Sequence, residues 1–154
     1  MRRVLVIGIG SRMMRDDSIG VRVVEALRSS FCEHEIASLV GETDVQYCLD
    51  EMRPEDVLII IDAMVLGKAP GHMEVMCLQD ALQERGKLRC QHDCSLLDLI
   101  VLHAPKTHGY FIGIEAAEID FGLELSASLR EEYDSICNAV LREVLTIKEE
   151  TEHA

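Results

Sequence analysis

Val57-Leu58-Ile59-Ile60-Ile61 is a run of five aliphatic residues closed by Asp62. It is too short to span a bilayer and lacks polar/apolar alternation, so it reads as a strand buried on both faces. Such strands belong to parallel sheets covered by helices on both sides, a requirement that constrains everything else in the chain. Residues 3–9 repeat the pattern and end in Gly8-Ile9-Gly10. Helical spacing should then follow, and residues 18–29 supply it with Ile19, Val23, Ala26 and Leu27 on one face. Asp16 and Asp17 precede that face, where carboxylates suit a helix N-terminus.

A weaker strand over residues 35–40 leads to a helical stretch near 44–52, which Pro54-Glu55-Asp56 breaks off. Lys68-Ala69-Pro70-Gly71 marks a turn before residues 73–77, whose alternation suits a hairpin-like or edge strand. Residues 95–103 have helical periodicity, 110–114 read as a strand, and 126–145 as a long amphipathic helix. Ser128 with Glu131 gives that last helix a capping-box start. The expected fold is α/β: a single three-layer domain over residues 1–147, with a mostly parallel twisted sheet of about five strands and helices on both faces. Residues 148–154 are expected to form a polar tail that frays.

Charge narrows the function. With 28 Asp and Glu against 15 Lys and Arg, the 154-residue chain carries a net charge of −13. That surface repels nucleic acid and anionic membranes. Arg2-Arg3 before Val4-Leu5-Val6-Ile7 resembles a short signal peptide, but the stretch soon meets Arg12, Arg15, Asp16 and Asp17 without a small-residue cleavage site. A buried strand explains it better. Cys32, Cys48, Cys77, Cys90, Cys94 and Cys137 are dispersed through a chain large enough to need no staples, so reduced thiols and a cytoplasmic location are expected.

Ligands of open α/β sheets bind outside the carboxyl ends of the strands. Two acidic loci fall there: the loop 10–18 with Asp16 and Asp17, and Asp62 at the end of its aliphatic run. Cys90-Gln91-His92-Asp93-Cys94-Ser95, just before a helix, is a third candidate, because a helix N-terminus keeps His92 neutral and free to coordinate. Two carboxylates and an imidazole suit a borderline divalent cation with open positions. The plainer readings are helix-end acids for Asp16 and Asp17, a turn residue for Asp62 and a cap or surface residue for His92. Cys90-x-His92-x-Cys94 suggests zinc, although its spacing matches none of the usual paired-ligand patterns. Gly8-x-Gly10 suggests a dinucleotide loop, yet the third glycine position falls on Met13 and two aspartates would face the pyrophosphate.

Four blocks in order resemble the hydrogenase maturation proteases, endopeptidases that trim the C-terminal extension of nickel–iron hydrogenase large subunits. They are Gly8-Ile9-Gly10 through Asp16-Asp17-Ser18-Ile19-Gly20; Val57–Ile61 with Asp62-Ala63 and then Pro70-Gly71; His92 before Leu96-Leu97-Asp98-Leu99-Ile100; and Phe111-Ile112-Gly113-Ile114-Glu115 with Phe121-Gly122-Leu123-Glu124-Leu125-Ser126. The resemblance, over roughly residues 2–146, implies that Asp17, Asp62 and His92 contact a metal, with Asp16 in the neighbouring acidic position. It further implies that nickel comes with the substrate, a large-subunit precursor, and is not permanently bound; a monomer is expected, although the sequence itself does not fix the oligomeric state. Ser11 and Ser18 stand where the family has Asn and Gly, which leaves open a non-catalytic maturation factor; the nucleotide-binding module is the remaining alternative.

Overall fold

The computed structural model describes residues 2–88 and 95–154. In chain order the elements are β1 (Val4–Ile9), a 3-10 turn (Arg15–Ser18), α1 (Ile19–Glu33), β2 (Ala37–Glu42), α2 (Val45–Glu51) and β3 (Val57–Met64). There follow β4 (Met73–Cys77), α3 (Leu78–Gln83), α4 (Arg85–Leu88), α5 (Leu96–His103), β5 (His108–Glu115) and α6 (Ala127–Glu152). The strands form one sheet in the order β2-β1-β3-β5-β4, with every pair parallel except β4 against β5. The alternating segment 73–77 is therefore the antiparallel edge.

Each central strand buries both faces, as its uninterrupted aliphatic sequence requires. Val4, Val6, Ile59, Ile61, Ile112 and Ile114 pack with α1 and α6 on one side of the sheet. Leu5, Ile7, Ile9, Leu58, Ile60 and Phe111 pack with α3, α4 and α5 on the other. Strand periodicity puts Asp62 on the same face as Leu58 and Ile60. The chain passes from β1 outward to β2, then returns across β1 to β3, so the strand order reverses between the carboxyl ends of β1 and β3. A crevice opens at such a reversal.

The last helix departs from expectation at both ends. Ser126, not Ser128, caps it: the Ser126 hydroxyl accepts a hydrogen bond from the Leu129 amide. Its C-terminus runs on to Glu152, through residues expected to form a tail. Lys148 explains the extension, because its stem is buried and its ammonium reaches the Glu35 carbonyl and Glu152. Among the described residues no helix is long and apolar enough to cross a membrane. Cys32, Cys48, Cys77 and Cys137 are free thiols, and burial pushes Cys48 up to about 12, with Asp44 adding to it.

The start of β3 is tied to the start of β1 by an ion pair between a half-buried arginine and a buried aspartate. Arg3 donates Nε to Asp56 Oδ1 at 2.8 Å and a terminal nitrogen to Oδ2 at 2.6 Å, while the Arg53 amide donates to Oδ2 at 2.8 Å. Burial alone raises the Asp56 carboxyl, but Arg3 and the Arg53 amide hold it below the ordinary carboxylate range. The pair therefore stabilises the fold fully above the unfolded carboxyl pKa of about 3.9 and loses its effect as pH falls through the lower folded value. Asp56→Ala is expected to cost about 3 kcal/mol at pH 7, and urea unfolding should show that deficit shrinking below about pH 4. A deficit independent of pH would rule out the ionic contribution.

Candidate active site

The first loop turns back beneath its own strand because residue 10 is glycine. Gly10 has φ +141°, and a Cβ there would lie 1.8 Å from the Asp17 carbonyl oxygen. Gly20, in the first turn of α1, sits so close to β3 that a Cβ would meet the Ile61 carbonyl oxygen at 2.2 Å. A side chain at either position would drive the loop and helix off the sheet. These two contacts bring Asp17, three residues before Gly20, to Asp62, one residue beyond Ile61.

Asp17 is buried and Asp62 partly so. Asp17 Oδ2 accepts from the Ser11 amide at 2.8 Å, and Asp62 Oδ1 from the Ala63 amide at 2.8 Å. The second oxygen of each carboxylate has no hydrogen-bond partner among the described residues. Burial, with repulsion from Asp17, pushes the Asp62 carboxyl well above its ordinary range, against the pull of the Ala63 amide. Two neighbouring carboxylates in that state favour a cation between them. Both line a cavity of about 400 Å³ whose described walls also include Glu42 and no lysine or arginine. Such a lining repels phosphates, which weighs against the nucleotide-binding reading.

Asp16 has a different job. Its side chain is fully buried, with Oδ1 accepting the Ser126 amide at 2.8 Å. Oδ2 accepts the Ala117 and Glu118 amides at 2.9 Å each and the Ser126 hydroxyl at 2.8 Å. Four donors converge on this one carboxylate, three of them on Oδ2, and Asp16 is not among the described residues that line the cavity, so the arrangement speaks for a structural role. The carboxylate clasps the segment after β5 onto the first loop. The Arg15 amide to Gly122, the Asp16 amide to Glu118 and the Gly122 amide to Met13 complete the clasp. The two acids adjacent in sequence are thus divided, one facing inward as a fastener and one facing the cavity.

His92, Cys90 and Cys94 lie outside the described residues, as does any zinc site they would form. Leu88 and Ser95, the described residues flanking that segment, both line the cavity. Ser95 caps α5 in a reciprocal box with Asp98, a Ser-x-x-Asp signal legible in the sequence. Sequence reasoning missed Arg12 as a rim organiser. It donates to Glu25 at 2.9 and 2.7 Å and to Glu42 at 2.6 Å, joining the first loop to α1 and to the end of β2. It also missed that Val45 and Leu97 face a cavity, since apolar residues at helical spacing read as core.

The hydrogenase maturation protease family profile matches residues 21–143, a span that includes Asp62 and His92 and begins just after Asp17. Hydrogenase expression/formation protein HupD of Thiocapsa roseopersicina is 32% identical over 136 residues, covering 83% of this chain and 61% of that protein. The hydrogenase 2 maturation protease of Escherichia coli is 40% identical over 76 residues, 48% of this chain and 46% of its own. The chain thus spans about three-fifths or less of the length of these two relatives. The NiFe hydrogenase maturation protease HybD from Thermococcus kodakarensis superposes with a TM-score of 0.72 at 25% identity, covering 91% of this chain and 97% of that one. The hydrogenase maturating endopeptidase HybD from E. coli shares the fold, with a TM-score of 0.71 at 23% identity over 94% and 93% of the two chains. With a family profile matching well over half its length, the chain belongs to the hydrogenase maturation protease family.

Proposed function

We propose that this protein is a cytoplasmic endopeptidase that removes the C-terminal extension from a hydrogenase large-subunit precursor, and that it reads nickel already carried by that substrate. The observation that carries the reading is the meeting of Asp17 and Asp62 at one cavity, each with an oxygen to spare. Family membership and the names of its relatives support it further. Asp17 and Asp62 supply oxygen ligands to the incoming metal, and His92 supplies nitrogen. An O,O,N donor set of this kind suits a borderline divalent ion that retains positions for substrate and water.

Docking on the metal holds the precursor's C-terminal segment across the strand ends, with the scissile amide beside the carboxylates. The bound metal polarises the amide carbonyl. Water, activated by the metal or by a carboxylate of Asp17 or Asp62, adds to the carbonyl carbon. Collapse of the tetrahedral intermediate breaks the C–N bond, and the departing amine takes a proton. No His-Glu-x-x-His or Gly-x-Ser-x-Gly sequence exists in the chain for the commoner hydrolase routes.

Purified protein incubated with a C-terminally extended large-subunit precursor is expected to shorten it when the precursor is nickel-loaded, and to leave the nickel-free precursor at least about 100-fold more slowly processed. Gel mobility and product mass read the result. Equal processing of both forms would remove the metal from recognition, and processing of neither would remove the enzyme assignment.

A further inference from the structure

Beyond the carboxylate pair, most of the described residues that line the cavity are apolar, and metal recognition does not account for them. Its walls include Ile60, Phe111 and Leu96, together with Ile9, Val45 and Leu97. Ile60, Phe111 and Leu96 are buried core residues, so the cavity reaches the sheet itself. Asp62 lies two positions beyond Ile60 on one strand and on one face. A group seated against Ile60 is therefore within a side chain's length of the reacting centre. A volume of about 400 Å³ falls in the range of ligand clefts. Water in such a space gains few hydrogen bonds from apolar walls. Ser11, Thr43 and Ser95 also line the cavity and bring polar atoms that a peptide backbone can use.

We propose that this cavity is a specificity pocket, taking one uncharged apolar side chain of the substrate beside the bond that is cut. The inference rests on the endopeptidase reading and adds the substrate feature that it recognises. Three features of the site favour this occupant. The apolar walls reward apolar burial, the Asp17, Glu42 and Asp62 carboxylates among the lining repel an acidic residue, and the pocket adjoins the carboxylates instead of lying on a remote face. Val45 is the natural reporter, because it lines the wall from the first residue of α2, is only half-buried, and holds no polar partner of the site.

The test varies pocket and substrate together. The cut is first located by product mass, and precursors are made with Met, Ala, Phe or Asp in turn at each residue flanking it. Wild-type protein is expected to lose about tenfold or more in kcat/KM when the pocket-bound residue becomes Asp. Val45→Phe should lose about tenfold on the Met form and recover on the Ala form, while Val45→Ala should shift preference toward Phe. A merely structural effect of these substitutions would slow every precursor alike. In parallel, N-acetyl-methionine methylamide is titrated against the wild-type protein and Val45→Phe by amide NMR. Shifts at Val45, Ala63 and Leu97 are expected only in the wild type. Cleavage with no side-chain preference at either flanking position would overturn the pocket while leaving the endopeptidase intact. No cleavage of any precursor, but binding of the amide at these residues, would overturn the endopeptidase and keep an apolar peptide pocket. Absence of both would overturn both.

Discussion

Asp62→Asn and Asp17→Asn are each expected to lower processing of nickel-loaded precursor by about 10³-fold or more, without loss of fold. Each substitution preserves shape and the one backbone hydrogen bond the carboxylate accepts, from Ala63 or from Ser11. What it removes is a negative charge in the cavity wall. In the metal-free protein that charge opposes folding at Asp62, where burial and Asp17 both raise the carboxyl. The thermal midpoint of Asp62→Asn should therefore equal the wild-type value or exceed it by about 2–4 °C. A structural residue loses stability and activity together, whereas a site residue held in an unfavourable state loses activity while stability holds or rises. His92→Ala should match the two aspartates in lost processing. Precursor cleavage at the wild-type rate by all three variants would sink the assignment, and a falling midpoint in Asp62→Asn would show that its carboxylate serves the fold.

The sequence exposed the sheet because its strands are doubly buried, and double burial leaves an uninterrupted aliphatic run that little else produces. The same logic exposed Asp62, since a carboxylate directly after five aliphatics sits where strand ends meet a crevice. Asp16 and Asp17 were visible as a pair, and only the family resemblance, not the residues themselves, set Asp17 ahead of Asp16. Their difference depends on partners 100 residues away, the amides of Ala117, Glu118 and Ser126, and no local periodicity encodes a contact across that distance. The cap of the last helix was misplaced for a related reason. Ser128 and Glu131 satisfy the local pattern, but Ser126 is already held by Asp16, and tertiary hydrogen bonding decides which serine ends the turn. Short α3 and α4 escaped notice because stretches of six and four residues carry too little periodicity to read. The pocket escaped because a cavity wall and a core have the same composition. Only packing tells them apart.

Asp16→Ala is expected to be the most destabilising single change in the first loop. It leaves four donors without their acceptor: the buried amide and hydroxyl of Ser126 and the part-buried amides of Ala117 and Glu118. An unpaired buried donor costs about 1–3 kcal/mol, so the two on Ser126 alone account for roughly 4 kcal/mol, much of an ordinary domain's stability of about 5–15 kcal/mol. Asp16→Asn separates the parts. Its carboxamide oxygen can take the place of Oδ2 and keep three of the four donors, but its NH2 then faces the Ser126 amide, donor against donor. About 2 kcal/mol should be lost, as urea unfolding of the three proteins would show. The functional consequence follows from position. Asp17 is the next residue along, and the clasp at Asp16 fixes the backbone from which Asp17 reaches the cavity. Asp16→Asn protein, assayed where it is fully folded, should process precursor more slowly yet regain rate as nickel-loaded precursor is raised, because a misaimed Asp17 weakens metal docking before it weakens the chemistry. Asp17→Asn should show no such recovery. If Asp16→Asn instead fails at every substrate concentration while remaining as stable as the wild type, Asp16 contacts the metal and its four hydrogen bonds are not its purpose.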